Sequence, residues 1–172
     1  MKFISFPLSI LISISIFGQN YINNRKFDKT QKKLAEPFNY FQNDCMPDQV
    51  TNNCVHQLER NATGTYEDYL IAEELYFVDQ KTSFKLHKKA HQKDQTNLMF
   101  LLGYANELHR SKKYDKAITL YNDYLKRGNR ITEAQTWISD CYIQLGKTEK
   151  ALEHWQKTKH STNSDEIRKA IY

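Results

Sequence analysis

Two histidines in this sequence are spaced so that they could bind a metal ion together. His87 and His91 are four residues apart, so on a helix their imidazoles would lie on one side and could share a metal ion. The residues around them are cationic and would repel a dication: Lys85, Lys88, Lys89 and Lys93. We therefore predict solvated histidines and no metal site.

The same lysines raise a second possibility, namely contact with anionic lipid or an acidic polymer. Asp94 lies beside the cluster, and no aromatic stacking series accompanies it. A solvated helix face is the favoured interpretation. Across the chain, 25 Lys and Arg are interspersed with 20 Asp and Glu, which argues against a dedicated nucleic-acid surface.

Other residues with catalytic potential do not form a recognisable constellation. Glu73 and Glu74 are adjacent, so on a helix they point in different directions. His154 and His160 have no obvious partners, and the sequence contains no nucleophile elbow, Gly-rich phosphate loop or zinc-protease helix signature. We predict no enzymatic activity and no cofactor; an enzyme would have to use residues within 21–65.

The three cysteines have different surroundings. Cys45 and Cys54 have eight residues between them in a stretch containing Pro and Asn, a loop short enough to close as a disulfide. Two free thiols are the alternative, and this spacing without neighbouring His or Cys pairs does not suit zinc. Cys141 lies in a strongly helical segment and is predicted to be a small core residue.

The first residues have the pattern of a secretory signal. Lys2 precedes an apolar run from Phe3 to Phe17, and Gly18 then offers a small residue for cleavage. An uncleaved anchor is the alternative, although the run is shorter than the roughly 20 residues that span a bilayer. We predict a signal peptide over 1–18, export to the periplasm or secretion, and a mature chain that does not span a membrane.

The rest of the chain is predicted to be all-α. Gly and Pro number only 5 and 3, and apolar residues recur every three or four positions in segments of about a dozen residues. Residues 19–65 form a partly helical extension in which Pro37 disfavours a single uninterrupted helix, with a loop over Asp44 to Asn53 and a short helix over Val55 to Arg60. The helices that follow are predicted in pairs: Tyr66 to Val78 with Thr82 to Lys93, Leu98 to Ser111 with Tyr114 to Arg127, and Thr132 to Leu145 with Thr148 to Lys159.

Two local signals support the last pair. Thr132 and Gln135 have the spacing of a capping box at a helix start. Gly146 is expected to close the turn between the two helices in a left-handed conformation.

The last two pairs repeat one another at a single constant spacing, the one that separates Tyr104 from Ile138. In both copies the order is a large apolar residue, a small one, a large apolar one, then Ala, an aromatic residue and Asn. The small residues let two antiparallel helices approach closely, and no single pair can bury its own apolar face, so stacking is required. The equivalent residues are Tyr104, Ala105, Leu108, Ala117, Tyr121 and Asn129, followed by Ile138, Ser139, Tyr142, Ala151, Trp155 and Asn163.

This pattern resembles the tetratricopeptide repeat (TPR) family, in which one repeat is about 34 residues long. Leu101 and Gln135 stand where the family has tryptophan, and Asn129 and Asn163 stand where it has proline. An earlier, divergent copy with Ala72, Leu75 and Ala90 fits if one residue is deleted between its helices. The resemblance implies about three repeats over 66–163, a capping segment over 164–172, and helical hairpins stacked as a short right-handed solenoid; an ordinary helical bundle without such stacking is the alternative.

The resemblance also implies a concave groove, lined by the first helix of each pair, that binds a protein or peptide. Some members of the family grip a terminal carboxylate with Asn and basic residues, but an Asp at the position equivalent to Asn106 disfavours this here. Solvated helix faces without a partner are the alternative. The groove positions are Met99, Leu102, Asn106, Arg110, Thr136, Asp140 and Gln144.

Together these observations predict an interaction scaffold exported to the cell envelope. The alternative is a structural subunit that is packed permanently within a larger envelope assembly. The sequence indicates neither the partner nor the oligomeric state.

Overall fold

The computed structural model describes residues 25–45, 52–127 and 131–158, and every regular element in these ranges is helical. The predicted signal peptide (1–18) and the predicted cap (164–172) lie outside the described residues. The chain divides into two compact units, Met1–Asp94 and Gln95–Tyr172. None of the described helices combines the length and the apolar character that crossing a membrane requires.

The first unit contains four α-helices and one π-helical turn within the described ranges. Helix α3 packs against α4 along their lengths, and α1 packs against α3. The elements are α1 (Arg25–Tyr40), the π-helical turn (Phe41–Cys45), α2 (Asn52–Glu59), α3 (Thr65–Glu74) and α4 (Gln80–Lys93).

Pro37 disfavours an uninterrupted helix, yet α1 continues through it to Tyr40. A proline inside a helix removes one backbone hydrogen bond. Leu34 and Phe41 on either side of it are fully buried, and this apolar burial offsets the lost bond. The loop predicted over Asp44 to Asn53 is also too long, since the π-helical turn extends to Cys45 and α2 begins at Asn52.

Helix α4 begins two residues before its predicted start. The side chain of Asp79 accepts hydrogen bonds from the backbone N–H groups of Lys81 (3.0 Å) and Thr82 (3.1 Å). This N-cap satisfies donors that the first turn of a helix leaves unpaired, so the helix starts at Gln80.

The described part of the second unit consists of two helical hairpins whose helices lie close to their predicted positions. Helix α5 packs on α6, α6 on α7 and α7 on α8, so the two hairpins are stacked side by side. The helices are α5 (Leu98–Arg110), α6 (Tyr114–Arg127), α7 (Ile131–Gln144) and α8 (Thr148–Gln156).

The capping box predicted at Thr132 does not form. Thr132 is inside α7, and the side-chain carbonyl of Gln135 instead lies 2.6 Å from Nδ1 of His154 on α8. The sequence spacing suited a cap, but a helix-to-helix contact uses the Gln135 side chain.

Small residues form the close contact inside each hairpin. Ala105 and Ala117 are fully buried in the α5–α6 hairpin. In the α7–α8 hairpin, the hydroxyl of Ser139 donates to the carbonyl oxygen of Ala151 at 2.7 Å. Most of the predicted repeat-core residues are buried; the partly exposed ones are Tyr104, Tyr142 and Trp155.

The α3–α4 hairpin has the same close contact with the two residue types exchanged. The hydroxyl of Ser83 on α4 donates to the carbonyl oxygen of Ala72 on α3 at 2.8 Å. Ser83 precedes Ala117 by one repeat period, the same spacing that separates Ala117 from Ala151. The divergent first copy therefore keeps a small residue at this position.

Candidate functional site

The predicted groove positions lie on α5 and α7, but not all of them reach the surface. Leu102 is 1% exposed, and Met99 and Thr136 are also buried. The Thr136 hydroxyl donates to the carbonyl oxygen of Thr132 one turn earlier. The expectation that these three side chains face a partner is therefore corrected: they pack inside the protein.

A hydrogen-bonded chain connects three helices of the second unit. Asp140 Oδ2 on α7 lies 2.6 Å from His109 Nε2 on α5, and His109 Nδ1 lies 3.3 Å from the hydroxyl of Tyr121 on α6. That hydroxyl donates to Asn106 Oδ1 on α5 at 2.8 Å. Two predicted groove residues, Asn106 and Asp140, are thus joined through two residues that were not predicted to act with them.

The two ring nitrogens of His109 link this chain to the other two helices. Nε2 faces the Asp140 carboxylate and Nδ1 faces the Tyr121 hydroxyl, and which nitrogen donates depends on the tautomer of the imidazole. The Tyr121 hydroxyl hydrogen is used toward Asn106.

Aromatic rings surround this chain on the same side of the unit. The rings of Trp137 and Tyr121 lie 5.4 Å apart, and the His109 ring meets those of Tyr114 and Tyr121 edge to face. Because Trp137 and Gln144 are three and four residues from Asp140 on α7, they share its face of the helix. We call the following set the α5–α7 face: Asn106, His109, Trp137, Asp140 and Gln144.

Arg110 is committed to an internal ion pair. Its Nη2 lies 2.8 Å from both carboxylate oxygens of Glu107, and Glu107 is fully buried. The positive charge of Arg110 is therefore already balanced, and Asn106 Oδ1 is occupied by Tyr121. This arrangement gives no support to a carboxylate clamp built from Asn106 and Arg110.

His87 is buried, so the prediction of a solvated histidine is wrong for it. Its Nε2 lies 2.9 Å from Glu73 Oε1, its Nδ1 lies 3.4 Å from the Ser83 hydroxyl, and its ring meets Tyr69 edge to face. Burial, together with the charge of Glu73, raises the pKa of Tyr69 well above its usual value. Among the described residues no group of three or more His, Cys, Asp or Glu is arranged to hold a metal ion.

The basic cluster on α4 is largely exposed to solvent, and three of its lysines also pair with carboxylates of their own unit. Lys89 and Lys93 lie 2.7 and 2.8 Å from the two carboxylate oxygens of Asp68, which is fully buried. Lys85 lies 2.6 Å from Glu59. These lysines stabilise buried or partly buried carboxylates.

Adjacent Glu73 and Glu74 make separate contacts, as their positions on a helix predicted. Glu73 contacts His87, whereas Glu74 Oε1 accepts from the side-chain amide of Gln42 at 2.7 Å. Glu74 is 8% exposed, and its Oε2 has no hydrogen-bond partner among the described residues. Burial raises the pKa of Glu74, and the hydrogen bond from Gln42 opposes that shift.

The cysteines lie in two different environments. Cys45, at the end of the π-helical turn, is joined to Cys54 of α2 by a disulfide. Cys141 is a free and fully buried thiol, and burial together with nearby Asp140 and Asp115 raises its pKa to about 12. The predicted core position of Cys141 is confirmed, and the raised pKa makes its thiol unreactive in the folded protein.

One of the residues that the sequence analysis missed was detectable from the repeat period. The spacing from His87 to Tyr121 equals the spacing from Tyr121 to Trp155, so His87 occupies the aromatic position of the first hairpin. His109 had no such signal, because its partner Asp140 belongs to the next hairpin. Only the packing of α5, α6 and α7 brings these two residues together.

Comparison with known proteins identifies the fold but not a family. The sequence matches no protein-family model and no curated protein. Among solved structures, the crystal structure of MamA, a TPR-like helical protein, is similar to this chain with a TM-score of 0.56 and 16% sequence identity. The match covers 86% of this chain and 89% of that one. The prediction of an all-α fold of TPR-like hairpins is confirmed.

Proposed function

We propose that this protein is a non-catalytic scaffold that binds a protein partner through the α5–α7 face. The observation that carries the proposal is the hydrogen-bonded chain from Asn106 to Asp140, which fixes side chains of three helices on one side of the second unit. The TPR-like fold supports it, because stacked helical hairpins offer extended surfaces for other proteins.

The chain of hydrogen bonds favours binding in a specific physical way. Side chains that are already held in place lose little conformational freedom when a partner binds, so more of the interaction free energy appears as affinity. The Asp140 side chain is 39% exposed, so it can accept hydrogen bonds from a partner while it contacts His109. Trp137 adds a partly exposed aromatic surface, a residue type that is enriched at interaction hot spots.

The same geometry does not favour catalysis. Asp140 and His109 are hydrogen-bonded as in a catalytic dyad, but the hydroxyl beyond them belongs to Tyr121, which is fully buried. Its hydrogen is used toward Asn106. A substrate could not reach this oxygen without separating the hairpins.

A matched pair of double variants tests the α5–α7 face. We expect Asp140→Ala with Gln144→Ala to reduce capture of the bound partner by at least about tenfold in quantitative affinity purification. The control, Glu153→Ala with Gln156→Ala, also removes one carboxylate and one amide, here from exposed positions of α8, and should leave capture unchanged. Equal capture by both variants would refute the assignment of the partner to this face.

A second candidate function is that of a subunit packed permanently in a larger assembly. It is favoured by Phe77, which follows α3 in the first unit and is 77% exposed, and by exposed Tyr40 at the end of α1. Large apolar side chains that remain exposed in a free chain are often covered in a complex. Sedimentation of the purified protein tests this candidate: a soluble monomer without any partner would count against it.

We further propose that the protein is exported. Two observations support this: the signal-like pattern of residues 1–18, and the disulfide between Cys45 and Cys54, since disulfides persist mainly in oxidising compartments. Alkylation of the denatured protein from cell fractions tests it. We expect one reactive thiol, that of Cys141, before reduction; three reactive thiols and a cytoplasmic location would refute the proposal.

A further inference from the structure

The turns that connect the helices of the second unit share a pattern of charge. Lys113 and Lys116 flank Asp115 at the start of α6, and one repeat period later Lys147 and Lys150 flank Glu149 at the start of α8. All six of these side chains are exposed, so the apolar core does not account for the pattern.

The backbone gives both turns the same geometry. The N–H of Lys113 donates to Leu108 O at 2.8 Å, and the N–H of Lys147 donates to Tyr142 O at 2.9 Å, each spanning five residues. This is the Schellman arrangement that ends α5 and α7. Equivalent lysine side chains therefore extend from the two hairpins in equivalent directions.

A side-chain contact shows that the two turns are neighbours. Lys147 Nζ on the second turn lies 3.5 Å from Asp115 Oδ1 on the first. Together the turns form one exposed edge of the second unit. We call its five basic residues the turn-edge lysines: Lys112, Lys113, Lys116, Lys147 and Lys150.

Lys112 gives this edge an additional charge at an unfavourable backbone position. Its φ is +59°, a left-handed conformation, and the equivalent residue of the next turn is Gly146 with φ +69°. Glycine adopts this conformation without steric cost, whereas a residue with a Cβ does not. At this position lysine is less favourable for the backbone than glycine would be, and it adds one positive charge to the edge.

The electrostatic balance of the edge is strongly positive. The two turns carry five lysines and two exposed carboxylates, Asp115 and Glu149, so these seven side chains have a formal net charge of +3. The amino-terminal ends of α6 and α8 lie at the same edge and add to the positive potential.

We propose that the turn-edge lysines bind this protein to an anionic membrane surface. Such a surface has distributed negative charge and demands no complementary shape, which suits an exposed row of long basic side chains. A specific protein partner would need a desolvated apolar or aromatic centre, whereas the exposed side chains of the two turns are five lysines, two carboxylates and Thr148. The turn-edge lysines and the α5–α7 face share no residue, so substitutions can remove one set while they retain the other.

Vesicle binding by the purified mature protein tests the proposal. The probe is a vesicle of equal parts phosphatidylglycerol and phosphatidylcholine, compared with phosphatidylcholine alone, at ~0.01 M and ~0.15 M ionic strength. We expect binding to the anionic vesicles only, weaker at the higher salt.

Two triple variants with the same change of charge locate the surface. Lys113→Gln, Lys116→Gln and Lys150→Gln together should lower vesicle binding on the order of 100-fold. The control combines Lys29→Gln, Lys32→Gln and Lys88→Gln at exposed positions of the first unit, and should bind nearly as well as the original protein. Equal losses in both variants would overturn the proposal, because they would show a non-specific effect of net charge.

Lys112→Gly removes one positive charge from the edge and also suits the left-handed backbone conformation at this position. The variant should bind anionic vesicles about fivefold less well while its thermal stability is unchanged or higher. Absence of vesicle binding by the original protein would overturn the proposal. Binding to polyglutamate but not to vesicles would also overturn it and would instead assign the edge to an acidic protein segment.

Discussion

The two units each contain a histidine that contacts a carboxylate through Nε2 and a hydroxyl through Nδ1, yet the two histidines differ in exposure. His87 in the first unit is fully buried between Glu73 and Ser83. His109 in the second unit is partly exposed between Asp140 and Tyr121. The same hydrogen-bonding chemistry therefore stabilises a hairpin interior in one unit and arranges a surface in the other.

The difference in exposure follows from where the hydrogen-bond partners of each histidine lie along the chain. Glu73 and Ser83 belong to the same hairpin as His87, so this cluster closes within α3 and α4. Asp140 belongs to the hairpin after that of His109, so this cluster joins two hairpins. Here the contact between neighbouring hairpins lies nearer the surface and leaves Asp140 available to other molecules.

The largest effect is expected at the aromatic position that the repeat shares. Tyr121→Ala should lower the free energy of unfolding by about 3–5 kcal/mol, because it removes a fully buried ring. Tyr121→Phe keeps the ring and loses only the hydroxyl bonds, so it should cost about 1 kcal/mol. Urea denaturation measures both; similar losses would mean that the hydroxyl, not the packing, dominates.

Removal of the disulfide should lower the stability of the first unit, which contains both cysteines. The double variant Cys45→Ser with Cys54→Ser should lose roughly 2–3 kcal/mol, since the bridge restricts a short loop of the unfolded chain. Hydrogen exchange resolved by segment measures the effect. Faster exchange in the second unit with no change in the first would contradict the expectation.

Substitution of the two histidines tests the comparison directly. His87→Ala should lower the free energy of unfolding by about 2 kcal/mol, because it leaves the buried Ser83 and the partly buried Glu73 without this partner. His109→Ala should cost about 1 kcal/mol, since solvent can reach Asp140, but it should weaken partner capture. A larger loss of stability for His109→Ala than for His87→Ala would reverse the roles we assign.

Substitution of two buried glutamates should change the stability of the protein in opposite directions. Glu107→Gln should destabilise the protein by about 1–3 kcal/mol, because Arg110 loses a buried carboxylate. Glu74→Gln should stabilise it at pH 7 by on the order of 1 kcal/mol, because a neutral amide is easier to bury than a carboxylate whose partner is the neutral amide of Gln42.

The effect of Glu74 has a defined pH dependence. Its pKa is raised in the folded protein, so the fold binds the proton more tightly than the unfolded chain does. The associated stability is present below the unfolded pKa, near 4.5, and is lost as the pH rises through the folded pKa. Urea midpoints of Glu74→Gln and the original protein should therefore converge at low pH; a constant difference would exclude titration of Glu74 as the cause.

The smallest effects are expected at the two serines of the helix contacts. Ser83→Ala and Ser139→Ala should each cost about 1 kcal/mol, the usual contribution of one hydrogen bond. Both changes place alanine at positions equivalent to the buried Ala105 and Ala117 of the α5–α6 hairpin, so the packing should be retained. A gain in stability for either variant would show that the alanine contact is the better solution at that position.

The sequence determined the pairing of the helices in the second unit and placed their ends within three residues. Apolar positions at helical spacing and a constant repeat period are local and repeated signals, and each must be satisfied wherever neighbouring hairpins stack. The first unit was less predictable, because its continuous helix through Pro37 and its buried His87 depend on tertiary contacts that offset unfavourable local choices.

Only the tertiary structure decided which groove positions face solvent and which partners the polar residues have. Leu102 and Asp140 both lie on first helices, yet one is buried and the other pairs with a histidine of the preceding hairpin. Sequence periodicity fixes the direction of a side chain relative to its own helix. Its exposure and its hydrogen bonds depend on the neighbouring helices, which are brought there by the packing of the whole unit.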